Sequence, residues 1–581
     1  MERRLILAIV LSFALLGLYW IFFLNKPVPA GSTSQTRPPV TTPSQAPPPV
    51  VPVPVEKSGR QTPAKPAVTP AHSGQAVSAA NEQPVKVVTP LYSAEWSTRG
   101  AVLRSWTLTD IGKNNKYKYM DEAGNPLQLV NIEPAELKAS NRYPFYLDAG
   151  DQTINEKINN NKTEFYKASA TSLSINEGKK AELAFVYDDG AGLRVEKKFL
   201  FNGNGYDFGV SISLKVKGEE KPYRLLWGPS IGPASQAVQR QRVGSNTGFV
   251  VFSGGKDYRL DDRQFKPNKW ATPDPKDGSL LNFNGLVSWA AFEETYFAAL
   301  FLVPSSQGTA VFQREMVNNF PFYYLLVTGA QSAYLGPKEL DRLKALDPQF
   351  GSTKKLVQFG FFGVIVEVLL IVIRAIYKVI PNWGLAIIIL TILIKILFFP
   401  LTYSSTKSMA RMQELQPKIK ALRAKYKKSK TDIAQRRQMN EEMMKLYKEH
   451  GVNPAGGCLP MLIQLPVFWA IWRLLSVSIE LRQSPFVFWI KDLSVKDPYL
   501  VTPILMGITQ YISQKMTPTG ADPSQARMML IMPVIMTFFF LGFPSGLVLY
   551  WLSSNVLQIV QQHFMNRMQA KRRANEDRRK K

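Results

Sequence analysis

Cysteine and histidine are nearly absent from this 581-residue chain, which has one cysteine, Cys458, and three histidines, His72, His450 and His563. A single thiol closes no disulfide within the chain and builds no thiolate metal site, and the three histidines form no paired-histidine metal motif. Between Val85 and Leu335 there is no histidine at all. The sequence also lacks a Gly-rich phosphate loop and a nucleophile with a histidine base, so enzymatic catalysis has little to work with and no cofactor is expected.

Charge is abundant and one-sided. The formal net charge of +27 suits either nucleic acid or an anionic membrane, and its location decides between them. Thirteen Lys/Arg against five Asp/Glu lie between Leu401 and Gly451, and eight against two between Arg567 and Lys581, both beside apolar runs. A lipid bilayer, not DNA, is the expected partner.

Residues 1–24 open with Arg3 and Arg4 and continue as an apolar run from Leu5 to Leu24. That run is long enough to cross about 30 Å of hydrocarbon as a helix, and no small-x-small cleavage pattern closes it. An uncleaved anchor with a cytoplasmic N-terminus is expected, the alternative being a cleaved signal peptide. Residues 25–84 read as a disordered linker, because thirteen prolines between Pro27 and Pro70 favour extended chain and bury no core.

Residues 85–335 alternate apolar and polar side chains, as in Leu183-Ala-Phe-Val-Tyr-Asp188 and Leu193-Arg-Val-Glu-Lys-Lys-Phe-Leu-Phe201, the period of half-buried strands. A large β-sandwich domain is expected, on the periplasmic side because the anchor starts inside. In residues 354–380, Glu367, Arg374 and Lys378 share one helical stripe with Gly360 and Gly363, the pattern of an amphipathic helix lying in the membrane interface.

The positive-inside rule requires an odd number of spans between an outer domain and the basic loop after Pro400, and Asn382 to Leu401 supplies one. Residues 403–451 read as a cytoplasmic helical hairpin. Its first helix repeats Met409, Met412, Leu415, Ile419, Leu422 and Tyr426; Ser429-Lys-Thr-Asp432 resembles a capping box; Ile433, Met439, Met443 and Leu446 resume the period. Four more apolar stretches follow, at 454–476, 499–514, 528–541 and 546–562. The expected fold is a multi-span α-helical membrane protein of six transmembrane helices. Five of these form a core over 381–566, both termini are cytoplasmic, and 567–581 is a basic tail.

Lys395 carries the most information about function. An ammonium in the run Ala386 to Pro400 costs several kcal/mol if it faces hydrocarbon, so it faces water, a partner or both. Snorkelling is the alternative, since the lysine stem lies about 7.5 Å of helix rise from Pro400. Trp551, Asn555, Gln558 and Gln562 fall on one stripe of the last span, flanked by Ser554 and Gln561. Gln464 and Gln510 add carboxamides from two other spans, and Thr391 lies one turn from Lys395. Interhelical hydrogen-bond glue explains one or two such residues; polar groups from four spans around a lysine fit a wet groove better.

The runs Asn382-Trp-Gly384, Phe399-Pro-Leu-Thr402, Leu415-Gln-Pro-Lys-Ile419, Asn453-Pro-Ala-Gly-Gly-Cys-Leu-Pro460 and Gln464-Leu-Pro-Val-Phe468 resemble the YidC/Oxa/Alb membrane protein insertase family. So do Leu481-Arg-Gln-Ser-Pro-Phe486, Gln514-Lys-Met516 and Phe543-Pro-Ser-Gly-Leu-Val-Leu-Tyr550. The large outer domain and the Gly-Ala-Val strand near Arg99 look like the Gram-negative bacterial form. The resemblance implies a periplasmic β-supersandwich similar to sugar mutarotases and a hydrophilic groove open to cytoplasm and lipid. It also implies insertion and folding of nascent membrane proteins in the inner membrane, alone or with the Sec translocon, with the ribosome met through the basic hairpin and tail. Lys395 stands at the position of the family's groove arginine, keeping the charge without the planar fork. Thr391, Gln464, Gln510, Tyr550 and Trp551 are the next expected groove contacts. The rival readings are a secondary transporter, which needs internal repeats that are not found here, an anchored carbohydrate enzyme, which the missing histidines disfavour, and an accessory chaperone.

Overall fold

The computed structural model of the chain describes residues 76–112, 115–121, 123–130, 141–229, 231, 248–261, 270–273, 280–304, 307–317, 320–426, 432–451, 459–517 and 523–580. The expected anchor at 1–24, most of the linker at 25–84, Ser429 and Cys458 lie outside these residues.

Alternation in the sequence becomes alternation in burial. Strand Lys180–Asp188 buries Leu183, Phe185 and Tyr187, and strand Leu193–Asn202 buries Leu193, Val195, Lys197, Phe199 and Phe201. The two pair antiparallel with Leu183 opposite Phe199 and Phe185 opposite Lys197. They belong to a ten-stranded sheet, which meets a five-stranded and a six-stranded sheet. Trp96 of the five-stranded sheet sits among Phe185, Phe199 and Phe201 at centroid distances of 6.1, 4.2 and 6.2 Å. Farther along the large sheet, Phe249 and Phe292 meet Phe312 and Tyr323 of the six-stranded sheet at 4.9 and 5.8 Å. Strand-like pairing begins ahead of the expected boundary at Val85, since Val77 bridges Asp188 and Ala79 bridges Phe165. A short helix α1 (Gln152–Asn160) is capped by Asp151, whose carboxylate accepts from Ile154 N at 3.1 Å.

Strands Trp289–Glu293 and Phe297–Leu302 are buried at every position, as strands covered on both faces must be. Helix α2 (Leu340–Phe350) and a 3₁₀ turn at Thr353–Leu356 follow the last strand and tie back to this part of the sheet, with Trp289 Nε1 donating to Gly351 O at 2.9 Å. The continuous helix expected over 354–380 is interrupted. Gly360 adopts φ +73°, a left-handed conformation that ends regular structure, and helix α3 starts at Gly363 and runs to Val379. Its polar stripe is engaged by protein: Lys344 pairs with Glu367 at 3.4 Å, and Arg374 pairs with Asp341 at 3.0 Å and with Glu480. Val364, Val368 and Ile371, which flank this stripe, are bare, while Val366, Leu369, Leu370 and Ile373 are buried.

The membrane-side helices also differ from their expected ends. Helix α4 runs from Trp383 to Glu414 and passes through Pro400, so the expected span and the start of the hairpin are one helix. The break falls at Leu415, where Gln416 and Pro417 open α5 (Gln416–Lys425); proline is tolerated in a first turn because its missing N–H would have no partner there. Helix α6 (Ile433–Glu449) is capped by Asp432, which accepts from Ala434 N at 2.8 Å. Leu415, Ile419 and Tyr447 form the small core of the hairpin with Met412, Met443 and Leu446.

Four helices follow: α7 (Leu459–Val477), α8 (Val501–Met516), α9 (Pro523–Phe540) and α10 (Ser545–Lys580). Helix α10 packs against α4, α7 and α8; α3 packs against α4 and α7; α9 packs against α8. At 1.5 Å per residue α9 is about 27 Å long, so the apolar stretch 528–541 understates its reach. Among the described residues, α4 is the one helix long and apolar enough by itself to cross a bilayer.

Candidate functional site

Helix α4 is fixed at its start by Asn382, whose Oδ1 accepts from Leu385 N at 3.0 Å while its Nδ2 donates to Phe486 O at 3.1 Å. A Cβ on Gly384 would collide with the Phe486 ring, so glycine permits this close approach. From there Ile387, Leu390, Thr391 and Ile394 form the buried face, while Ile392, Leu393, Ile396 and Leu397 are exposed. Lys395 stands at the edge between the faces, half-buried, and its Nζ donates to Gln558 Oε1 on α10 at 3.0 Å. Among the described residues no carboxylate pairs with it.

Two residues of the α10 stripe pair across to α8. Trp551 Nε1 donates to Gln510 Oε1 at 3.1 Å, with the indole edge-on to Phe468 at 4.9 Å. Asn555 Nδ2 donates to Met506 O at 3.1 Å. Gln464 of α7 lies near Tyr550 of α10, which is buried. Ser554 is half-buried on α10. Thr391 departs from the expected groove arrangement: its Oγ1 donates to Ile387 O at 2.7 Å and the residue is 1 % exposed, so the hydroxyl is consumed by its own helix. Gln562, also fully buried, donates to Asn566 Oδ1 at 2.8 Å, away from Lys395. The α4 ammonium meets one amide, Gln558 of α10, while the other amides of α7, α8 and α10 have partners of their own or lie farther along the helices. An ammonium has three donors and no acceptor, so beyond Gln558 it can take a carboxylate, a carbonyl or water. Among the described residues no group of His, Cys, Asp and Glu is placed to hold a metal ion.

Sequence reasoning passed over Arg473, although an arginine inside the apolar run of α7 is itself a signal. Its Nε donates to Gln358 O at 2.5 Å and its Nη2 to Gln358 Oε1 at 2.6 Å, tying α7 to the segment before α3. Nearby, Glu293 holds Lys338 at 2.8 Å and also pairs with Arg259. Burial pushes the Lys338 ammonium below the usual lysine range, against the pull of Glu293. A second tie joins β-domain and helices: Gln483 Oε1 accepts from Met120 N at 3.0 Å, its Nε2 donates to Met120 O at 2.6 Å, and Arg482 donates to the same carbonyl at 2.8 Å.

Residues 84–372 match the family model described as the YidC periplasmic domain, and residues 375–573 match that of the 60Kd inner membrane protein. The membrane protein insertase YidC of Pelobacter propionicus is 35% identical over 598 residues, covering 98% of this chain and 99% of that protein. That of Citrifermentans bemidjiense is 36% identical over 586 residues, covering 98% and 99%. A crystal structure of an active YidC insertase with its first transmembrane domain resolved covers 84% of this chain and 93% of its own, at 21% identity and a TM-score of 0.34. Identity at this level over nearly the whole length of both chains, with a β-rich domain followed by packed apolar helices, means that the chain belongs to the YidC family of membrane protein insertases.

Proposed function

We propose that insertion proceeds through a groove bounded by α4, α7, α8 and α10, in which the Lys395 ammonium receives the short hydrophilic tail of a client. The client's apolar helix then slides between the spans into lipid. The observation that carries this reading is the 3.0 Å contact of Lys395 with the uncharged Gln558, which holds a positive charge against an amide without cancelling it. Removing apolar surface from water, at about 25 cal/mol per Å², drives the client onward. The membrane potential adds about 2.3 kcal/mol per 100 mV for each negative charge moved outward. Neither ATP nor a cofactor is needed for such a transfer, and the reading includes no enzymatic step.

The proposed topology has six spans: an anchor at 1–24, α4, α7, α8, α9 and the first part of α10. Both termini are cytoplasmic, and the β-domain lies in the periplasm above α3 at the interface. The parity argument and the basic α5–α6 hairpin support this topology. The hairpin and the basic end of α10 are proposed to meet the emerging client and the ribosome, and the protein works alone or beside the Sec translocon.

Purified protein in liposomes, given a small single-span client with an acidic tail, tests the groove. Lys395→Ala is expected to lower insertion of that client at equal protein amount; wild-type insertion of acidic, neutral and basic clients alike would refute the groove.

A further inference from the structure

We infer that Gln558 is a positioning residue for the groove charge, holding the Lys395 ammonium inward without neutralising it; the inference rests on the groove reading above. The polar stripe of α10 does not act as one unit. Trp551 and Asn555 are turned to α8, through Gln510 and Met506 O, and Gln562 is turned along its own helix to Asn566. Gln558 alone on that stripe reaches α4, and its Oε1 is the acceptor for Lys395 Nζ. Without that acceptor the flexible lysine stem is free to swing along α4 toward its basic cytoplasmic end, as long cationic side chains do.

The chemistry of the acceptor matters as much as its position. A carboxamide oxygen takes one of the three ammonium protons and leaves the charge whole. A carboxylate of the same shape would hold the lysine more tightly and cancel it. Side-chain shape alone does not distinguish glutamine from glutamate at 558, whereas a client's acidic tail does. Gln558 therefore sets client preference through Lys395 and need not touch the client.

The test uses the full-length protein in liposomes and two single-span clients that differ by one tail residue, Asp in one and Asn in the other. The readout is the ratio of Asp-tail to Asn-tail insertion within each variant, which a general loss of folded protein does not change. Lys395→Ala sets the ratio expected without the charge. Gln558→Glu is expected to fall to that ratio although it keeps the contact, and Gln558→Leu to lower the ratio by about three- to tenfold, the worth of one hydrogen bond. A wild-type ratio in either Gln558 variant, with the Lys395→Ala ratio reduced, overturns the positioning role and leaves the groove standing. An unchanged ratio in Lys395→Ala overturns the groove reading itself.

Discussion

Replacing Lys197 by methionine isolates an interaction that the β-domain core depends on. Lys197 is fully buried, and its Nζ donates to Gly100 O at 2.6 Å, Phe145 O at 2.8 Å and Ala101 O at 3.3 Å. Methionine fills similar space but donates nothing, so two well-paired carbonyls and one weaker one lose their donor at once. Each buried group left unpaired costs about 1–3 kcal/mol, or roughly 2–6 kcal/mol for the two short bonds. Relief from burying an ammonium offsets part of this. The backbone acceptors stay in the core whatever residue stands at 197, so the loss wins and a net destabilisation of about 2–4 kcal/mol is expected. At about 2–4 °C per kcal/mol for a domain of this size, the β-domain should melt roughly 4–16 °C lower.

The same substitution has a pH signature. Burial pushes the Lys197 ammonium well below the usual lysine range, so the unfolded chain binds more protons than the folded one between that lowered value and about pH 10.4. Wild-type stability therefore rises with pH across this window, and the methionine variant lacks that contribution, so the gap between them widens as pH rises. Scanning calorimetry of the full-length protein in detergent, at neutral and alkaline pH, reads both effects. A Lys197→Met protein that melts at or above the wild type, or a gap that narrows with pH, would refute the reasoning.

Gly384→Val should displace the Phe486 loop from the start of α4, because even a Cβ there meets the ring; overpacking costs about 1–3 kcal/mol, and unchanged protease resistance around residue 486 would count against it. Arg473→Leu removes both donors to Gln358 and should speed proteolysis at 356–362, while an unaltered cleavage rate would show that α3 is held by its ion pairs alone. Gln483→Ala strips the acceptor from Met120 N, so hydrogen exchange at that amide is expected to accelerate; protection equal to the wild type would mean that Arg482 suffices.

Much of this architecture is legible in local pattern. The period-two run from Leu193 to Phe201 specified not only a strand but its inward face, and Lys197 stands on that face among Leu193, Val195, Phe199 and Phe201. The break in the pattern was visible in the sequence, yet its meaning was not, because the three carbonyls that justify it come from residues 100, 101 and 145. Helix ends were read less well. The expected span stops at Leu401, beside Pro400, whereas α4 continues through both to Glu414, because a proline in an apolar helix does not by itself say whether the helix ends or passes through.

The groove residues divide in the same way. Lys395 announced itself by composition alone, since an ammonium in an apolar helix is costly wherever it points, and the 551, 555, 558, 562 stripe followed from the helical period. Which stripe member answers the lysine was not determined by either. Trp551 and Asn555 turn to α8, Gln558 to α4, and Thr391 to its own backbone, according to how the helices pack. Sequence fixes which side chains share a face, because that depends on the geometry of one helix; partners belong to neighbouring helices, and only tertiary packing brings those within the 3 Å or so that a hydrogen bond requires.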